Sequence, residues 1–223
     1  MVVVIIAVLL AMLLPMLNRA KKTVRFSVCI NNQKELVAAT YLYTIDNDDR
    51  LPYCNSAQIE RENDGVIAGW LYDSSVGKTE PEHVESSSLF QYIESRQIYF
   101  CPSDSETDRL GTNKLTSYST NAVVNGFATR VLPFSINQMS SDGIYLFGQD
   151  NEDGWNDGSN YADEIGDESL PIPERLPDRH DKQTSVSYFD GSVHRWDGDQ
   201  WADTEDEEPG QFYCMPGKSN GRR

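Results

Sequence analysis

The sequence predicts an α+β fold in which one long N-terminal helix packs on an antiparallel β-sheet head with long loops. Three observations predict it. Residues 1–17, MVVVIIAVLLAMLLPML, carry no charge, and all 19 Lys/Arg and all 35 Asp/Glu come after them. Residues 16–45 contain neither Gly nor Pro, and their apolar residues recur at helical spacing. The remainder holds short β-rich runs between turn-forming clusters. The 223 residues divide accordingly into an apolar and basic helix half, 1–25, and a head, 26–223, that includes an amphipathic helix half, 26–46.

For the first element three readings compete. A cleaved signal peptide wants a basic start and a small-residue cleavage site, and the apolar run here leads directly into LNRAKKTVRF. A lone transmembrane anchor wants about 20 apolar residues. The third reading is a continuous helix whose second half enters the head, and the residues downstream favour it. After the basic patch Arg19, Lys21, Lys22 and Arg25, one stripe runs through Phe26, Cys29, Ile30, Leu36, Val37, Thr40 and Tyr43. DNDDRLP then supplies a turn-rich exit at Asp46, Asn47, Asp48 and Pro52. Such a rod of about 45 residues measures roughly 65–70 Å at 1.5 Å per residue. Its apolar half needs a membrane or copies of itself. Pro15 is expected to kink or loosen it.

In the head, residues 87–95, SSLFQYIES, read as a short amphipathic helix, and 142–149, DGIYLFGQ, as a strand. GWLYD around Trp70 and QIYFCP around Cys101 are further strand candidates. The sharpest signal is TSVSYFDGSVHRW, where Asp190–Gly191 should turn a type I′ hairpin pairing Thr184–Phe189 with Ser192–Trp196. His180 is placed to hydrogen-bond or cap that hairpin.

Composition narrows the function. A net charge of −16 repels nucleic-acid phosphates, so no nucleic-acid partner is expected. The four cysteines, Cys29, Cys54, Cys101 and Cys214, include no C-x-x-C pair, which argues against zinc and thioredoxin-like sites and for two disulfides in an exported protein. Three connectivities stay open. No G-x-S-x-G elbow accompanies the three histidines, and no catalytic residue is expected. His180 and His194 lack the spacing of a helix-borne metal pair. Residues 149–168 set carboxylates among Gly and Asn, which suits a hard cation; Asp150, Asp153 and Asp157 are the candidate calcium ligands. Residues 203–210, DTEDEEPG, read as a solvated acidic loop. Trp155, Trp196 and Trp201 are candidates for a ligand-binding aromatic surface.

The apolar start, with its internal proline and LNRA exit, resembles the hydrophobic helix of type IV pilins and type II secretion pseudopilins. CINNQKELVAATYLYTIDNDDRLP resembles more specifically a bacterial subfamily with prepilin-type N-termini. Cys101-Pro102-Ser103-Asp104, then Ser117, Tyr118 and Asn121, match that subfamily's mid-head motifs. His180, followed after nine residues by Asp190 and Gly191, matches its C-terminal H-x9-DG motif. The matches span residues 1–200 in order. The family carries, ahead of its apolar run, a glutamate that it links to assembly; here the run starts at Met1, so either the sequence begins inside that helix or the subunit assembles without that contact.

This resemblance implies a pilin-like fold and a structural subunit of an extracellular type IV pilus-like filament. Val4, Ile5, Leu9, Leu13, Pro15 and Leu17 would lie in the filament core. It implies Cys29–Cys101 as one disulfide, since both belong to its motifs, with Cys54–Cys214 as the remaining pair. Some similar pseudopilins hold calcium in a comparable loop. The implied partners are further copies of the chain, the inner membrane before assembly, and the pilus or secretion machinery. The alternatives are a minor pseudopilin of a type II secretion system and a membrane-anchored extracytoplasmic binding protein.

Overall fold

A computed structural model describes residues 2–55, 68–73, 75–76, 81–104, 115–125, 132–148, 159–160, 179–205, 210–211, 214 and 216–217. Its first element, α1, runs unbroken from Val2 to Asp46. The helix carries through Pro15 without interruption. Proline removes one amide donor, and the helical bonds on either side suffice to continue the turn. The exit is built as the sequence suggests. Asn47 Nδ2 donates to the Tyr43 carbonyl at 2.8 Å, and Asp48 and Asp49 take left-handed φ values of 54° and 60°. Aspartate tolerates that region better than most residues, so the pair ends the helix at modest cost.

Burial divides α1 in two. The first buried side chain is Phe26, and from there Cys29, Gln33, Leu36, Val37, Thr40 and Thr44 form one inward stripe. Before Phe26 the described side chains are exposed: Ile5, Leu9, Leu13 and Leu17 are between 52% and 58% exposed. Among the described residues, no helix is long and apolar enough to cross a membrane. The uncharged run from Val2 to Asn18 rises only about 25 Å, against roughly 30 Å of hydrocarbon.

The head is α+β. Its sheet comprises β1 (Tyr118–Asn121), β2 (Ile144–Gly148), β3 (Ser159–Asn160), β4 (Thr184–Tyr188) and β5 (Val193–Trp196), in the order β3-β1-β2-β4-β5. Four strands are antiparallel neighbours; the two-residue β3 departs from expectation by lying parallel to β1. The central strands read IYLFG and TSVSY and are buried almost throughout, so both faces are covered. α1 lies against β2, β4 and β5, and also against the short α2 (Phe90–Ile93) and the 3-10 turn Arg96–Tyr99. The helix is pinned by polar contacts within its stripe. Gln33 Nε2 donates to the Ser185 carbonyl at 3.1 Å, Asn32 Nδ2 to the Phe100 carbonyl at 2.8 Å, and Thr40 Oγ1 meets Tyr145 Oη at 3.0 Å.

The expected short helix, the strand at 142–149 and the 184–196 hairpin are all present. The hairpin turn differs. Only Gly191, with φ of 87°, is left-handed, and Gly191 N bonds the Tyr188 carbonyl at 3.0 Å. A type I′ turn needs two positive φ values; a three-residue loop closed by a left-handed glycine needs one. Residues 69–72 of GWLYD and 99–101 of QIYFCP are buried, yet neither segment makes a strand. The first bends sharply, with Gly69 N bonding the Tyr72 carbonyl at 2.9 Å, and the second becomes the Arg96–Tyr99 turn. An apolar run reports burial, and the ladder partner is a separate matter. Part of the expected acidic loop is helical: α3 spans Gly198–Glu205. Asp197 and Gln200 cap it reciprocally, at 3.0 and 3.2 Å, and Trp201 packs edge-on against Phe147 and Trp196.

Candidate functional site

Two motif-bearing segments and the inward face of α1 meet at one place. Cys29 is on the buried stripe of α1. Cys101 begins a turn closed by Asp104 N on its carbonyl at 3.0 Å, with its own amide donating to Ser117 Oγ at 2.7 Å. His180 lies in the turn entering β4, where His180, Asp181 and Lys182 have φ values of 57°, 58° and 64°. Each left-handed residue costs roughly 1–2 kcal/mol, so surrounding contacts must hold the turn. Three do so. The His180 ring stacks on Phe26 with centroids 4.5 Å apart, Asp181 pairs with Lys22 at 2.5 Å, and Arg179 pairs with Asp104 at 2.5 Å. Of the two ion pairs only the second is buried, its side chains 8% and 4% exposed. Asp104 also accepts from the Ser117 hydroxyl, and Arg179 Nη2 donates to the Ser117 carbonyl at 3.3 Å.

This frame sets His180 Nε2 3.0 Å from Cys101 Sγ. The ligand atoms of Cys29, Cys101 and His180 all lie within 4.8 Å of one another. Among the described residues this is the one convergence of such donors. Cys29 Sγ is further contacted by Ser185 Oγ at 3.6 Å and Tyr118 Oη at 3.3 Å. The two thiols are polarised in opposite directions. The hydrogen bond from Cys29 holds the Cys101 thiol well below its usual range, helped by His180 and the Arg179 charge. Cys29, giving that bond in a buried place, is raised.

Outside this knot, α1 and the hairpin border an open cleft of about 460 Å³ lined by Arg19, Lys22, Phe26, His180, Asp181 and Arg195. Arg195 stacks its guanidinium over Phe26, 4.4 Å from the ring centroid. His180 therefore stands between a buried thiol pair and a basic cleft.

The sequence-derived sites fare unequally. No disulfide joins the four cysteines in this structure, neither Cys29–Cys101 nor Cys54–Cys214. Cys29 and Cys101 are neighbours whose sulfurs are engaged by Ser185, Tyr118 and His180. Cys214 instead packs under Gly143 beside Phe189, where an added Cβ on Gly143 would meet its sulfur at 2.7 Å. His180 contacts Cys101 and Phe26 and does not cap the hairpin, while His194 is exposed on β5 beside Ser192. Asp190 accepts from Ser192 N at 2.8 Å within its turn. Trp196 and Trp201 are buried and form no aromatic surface. Asp150, Asp153 and Asp157 lie outside the described residues, as does Trp155. Sequence reasoning missed Arg179; only its place next to His180 could have drawn notice. It also missed α3, which the Asp197–Gln200 capping pair announces.

No protein-family model, curated protein or solved structure matches the chain.

Proposed function

We propose that the chain is a self-assembling structural subunit of a type IV pilus-like extracellular filament, held together through the N-terminal half of α1. One observation carries this reading. Ile5, Leu9, Leu13 and Leu17 project, more than half exposed, from a helix whose other half is seated in the head. Apolar surface on this scale stabilises association at about 25 cal/mol per Å² buried, and exposed apolar patches mark contact surfaces. In an assembly the apolar halves bundle and the acidic heads lie outside, the inner membrane and the assembly machinery having received the subunit first. The motif residues support the same picture as scaffold: Asn32, Gln33 and Tyr118 fasten α1 to the head, and Asp104 and Ser117 brace the mid-head turn against Arg179. This role needs no catalytic residue.

Electron microscopy of cells producing the chain, with side-chain density traced in any filament, tests it. Filaments built from this chain are expected; a full-length chain that stays monomeric in detergent-free buffer and appears in no filament would remove the reading. A minor pseudopilin differs in abundance, and would be found at filament tips or in substoichiometric amounts. An anchored binding head loses support from the burial of Trp196 and Trp201.

A further inference from the structure

We propose that Cys29, Cys101 and His180 form a binding site for a thiophilic d10 metal ion of the zinc class. The donor set is the first reason. Two cysteine sulfurs and an imidazole nitrogen are the ligands this class prefers, and here they converge from α1, the mid-head turn and the turn before β4, all within 4.8 Å. With bonds of about 2.3 Å to sulfur and 2.0–2.1 Å to nitrogen, tetrahedral ligand atoms sit roughly 3.5–3.8 Å apart. The 3.0 Å between Cys101 and His180 must open slightly, and the wider separations must close by about an ångström or less.

Space and charge are the second and third reasons. The ligands border a small cavity of about 10 Å³, shared with Ser117, Arg179 and Ser185. That is room for about one water-sized occupant. A divalent ion with two thiolates is neutral overall, which a buried place tolerates far better than a net charge. The neighbouring Arg179 is already neutralised by Asp104 and adds no unpaired positive charge. On binding, any thiol still protonated releases its proton to solvent. The fourth position falls to water or to the Ser185 hydroxyl, 3.6 Å from Cys29 Sγ.

Bound there, the ion would cross-link α1 to both turns, and its binding energy would be folding energy. It would also occupy the thiol pair. The proposal does not depend on filament assembly and goes beyond it.

The test uses the full chain in detergent, reduced and stripped with a chelator, then titrated with Zn²⁺ against a chromophoric competitor and separately with Co²⁺. One ion per chain is expected, with a thiolate-to-cobalt charge-transfer band. His180→Asn is the decisive variant, because asparagine tolerates the left-handed backbone that histidine occupies here. Loss of an outer-shell partner already weakens metal sites about 10–100-fold, so loss of this ligand should weaken binding by at least about 100-fold. His83→Asn, outside the site, should bind like the parent. Absence of stoichiometric binding would overturn the proposal. So would affinity unchanged in His180→Asn, or a Cys29–Cys101 disulfide in the chain as isolated from its host.

Discussion

Nε2 of His180 lies 3.0 Å from Sγ of Cys101, although 79 positions separate them in the chain. The contact joins the mid-head motif to the C-terminal one, and Arg179–Asp104 runs beside it, one residue before His180 and three after Cys101. The second pair is the stronger structural test. Arg179→Ala would leave the Asp104 carboxylate buried and uncompensated, at a cost of about 3–5 kcal/mol. Arg179→Met combined with Asp104→Asn removes both charges and should recover most of that loss. Urea denaturation of the three chains measures it; a single-variant loss below about 1 kcal/mol would mean that the pair is solvated.

Gly191 is constrained twice. Its φ is 87°, and an added Cβ would meet the Tyr41 ring at 3.1 Å. Gly217 has a similar φ of 78° with nothing within 4 Å. Gly191→Ala should therefore cost more than the roughly 1–2 kcal/mol of left-handed strain alone, and Gly217→Ala should cost about that strain or less. Thermal unfolding of the two variants side by side gives the comparison. Gly191→Ala should also disturb Tyr41, whose hydroxyl donates to the Phe189 carbonyl.

Burial pushes the Cys214 thiol up to about 12, with Asp142 contributing. An unfolded cysteine titrates near 8.5. Above that pH the unfolded chain loses a proton that the folded chain keeps, so stability falls as pH rises. The contribution is complete below about pH 8.5 and is lost progressively toward about 12. The stability difference between the reduced parent chain and Cys214→Ala should accordingly shrink as pH is raised from about 8 to 10, read by denaturant midpoints. A difference independent of pH would place Cys214 in water.

Leu9→Glu and Leu13→Glu separate assembly from folding. Both positions are exposed in the single chain, so head stability should change by no more than about 0.5 kcal/mol. Assembly should fail, because a charge would enter an apolar bundle. Pelleting of filaments, beside a melting curve of the head, reads the two effects independently. Intact filaments from both variants would show that this face of α1 is not the contact.

Local physics made much of the fold legible in the sequence. The helical stripe from Phe26 to Thr40, the aspartate-rich exit, the strand at Ile144–Gly148 and the hairpin around Gly191 each follow from periodicity or turn chemistry between near neighbours in sequence; at the stripe's end the fully buried residue is Thr44, where the spacing pointed to Tyr43. β1 did not, because YSTN has little apolar signal and its burial comes from neighbours on both sides. GWLYD misled for the converse reason: its burial comes from packing under a bend without a ladder. α3 was masked by its acidic composition, although its capping pair was in view.

The site divides the same way. The sequence by itself determined which residue types were available: a cysteine on the inward stripe, a Cys-Pro-Ser-Asp turn, and a histidine separated from Asp-Gly by nine residues. Only the tertiary structure decided that Cys29, Cys101 and His180 meet, since their spacing follows no helix, strand or finger period. Their convergence depends on how α1 seats on β4 and on three left-handed residues after Arg179. Both are set by packing between segments far apart in the chain.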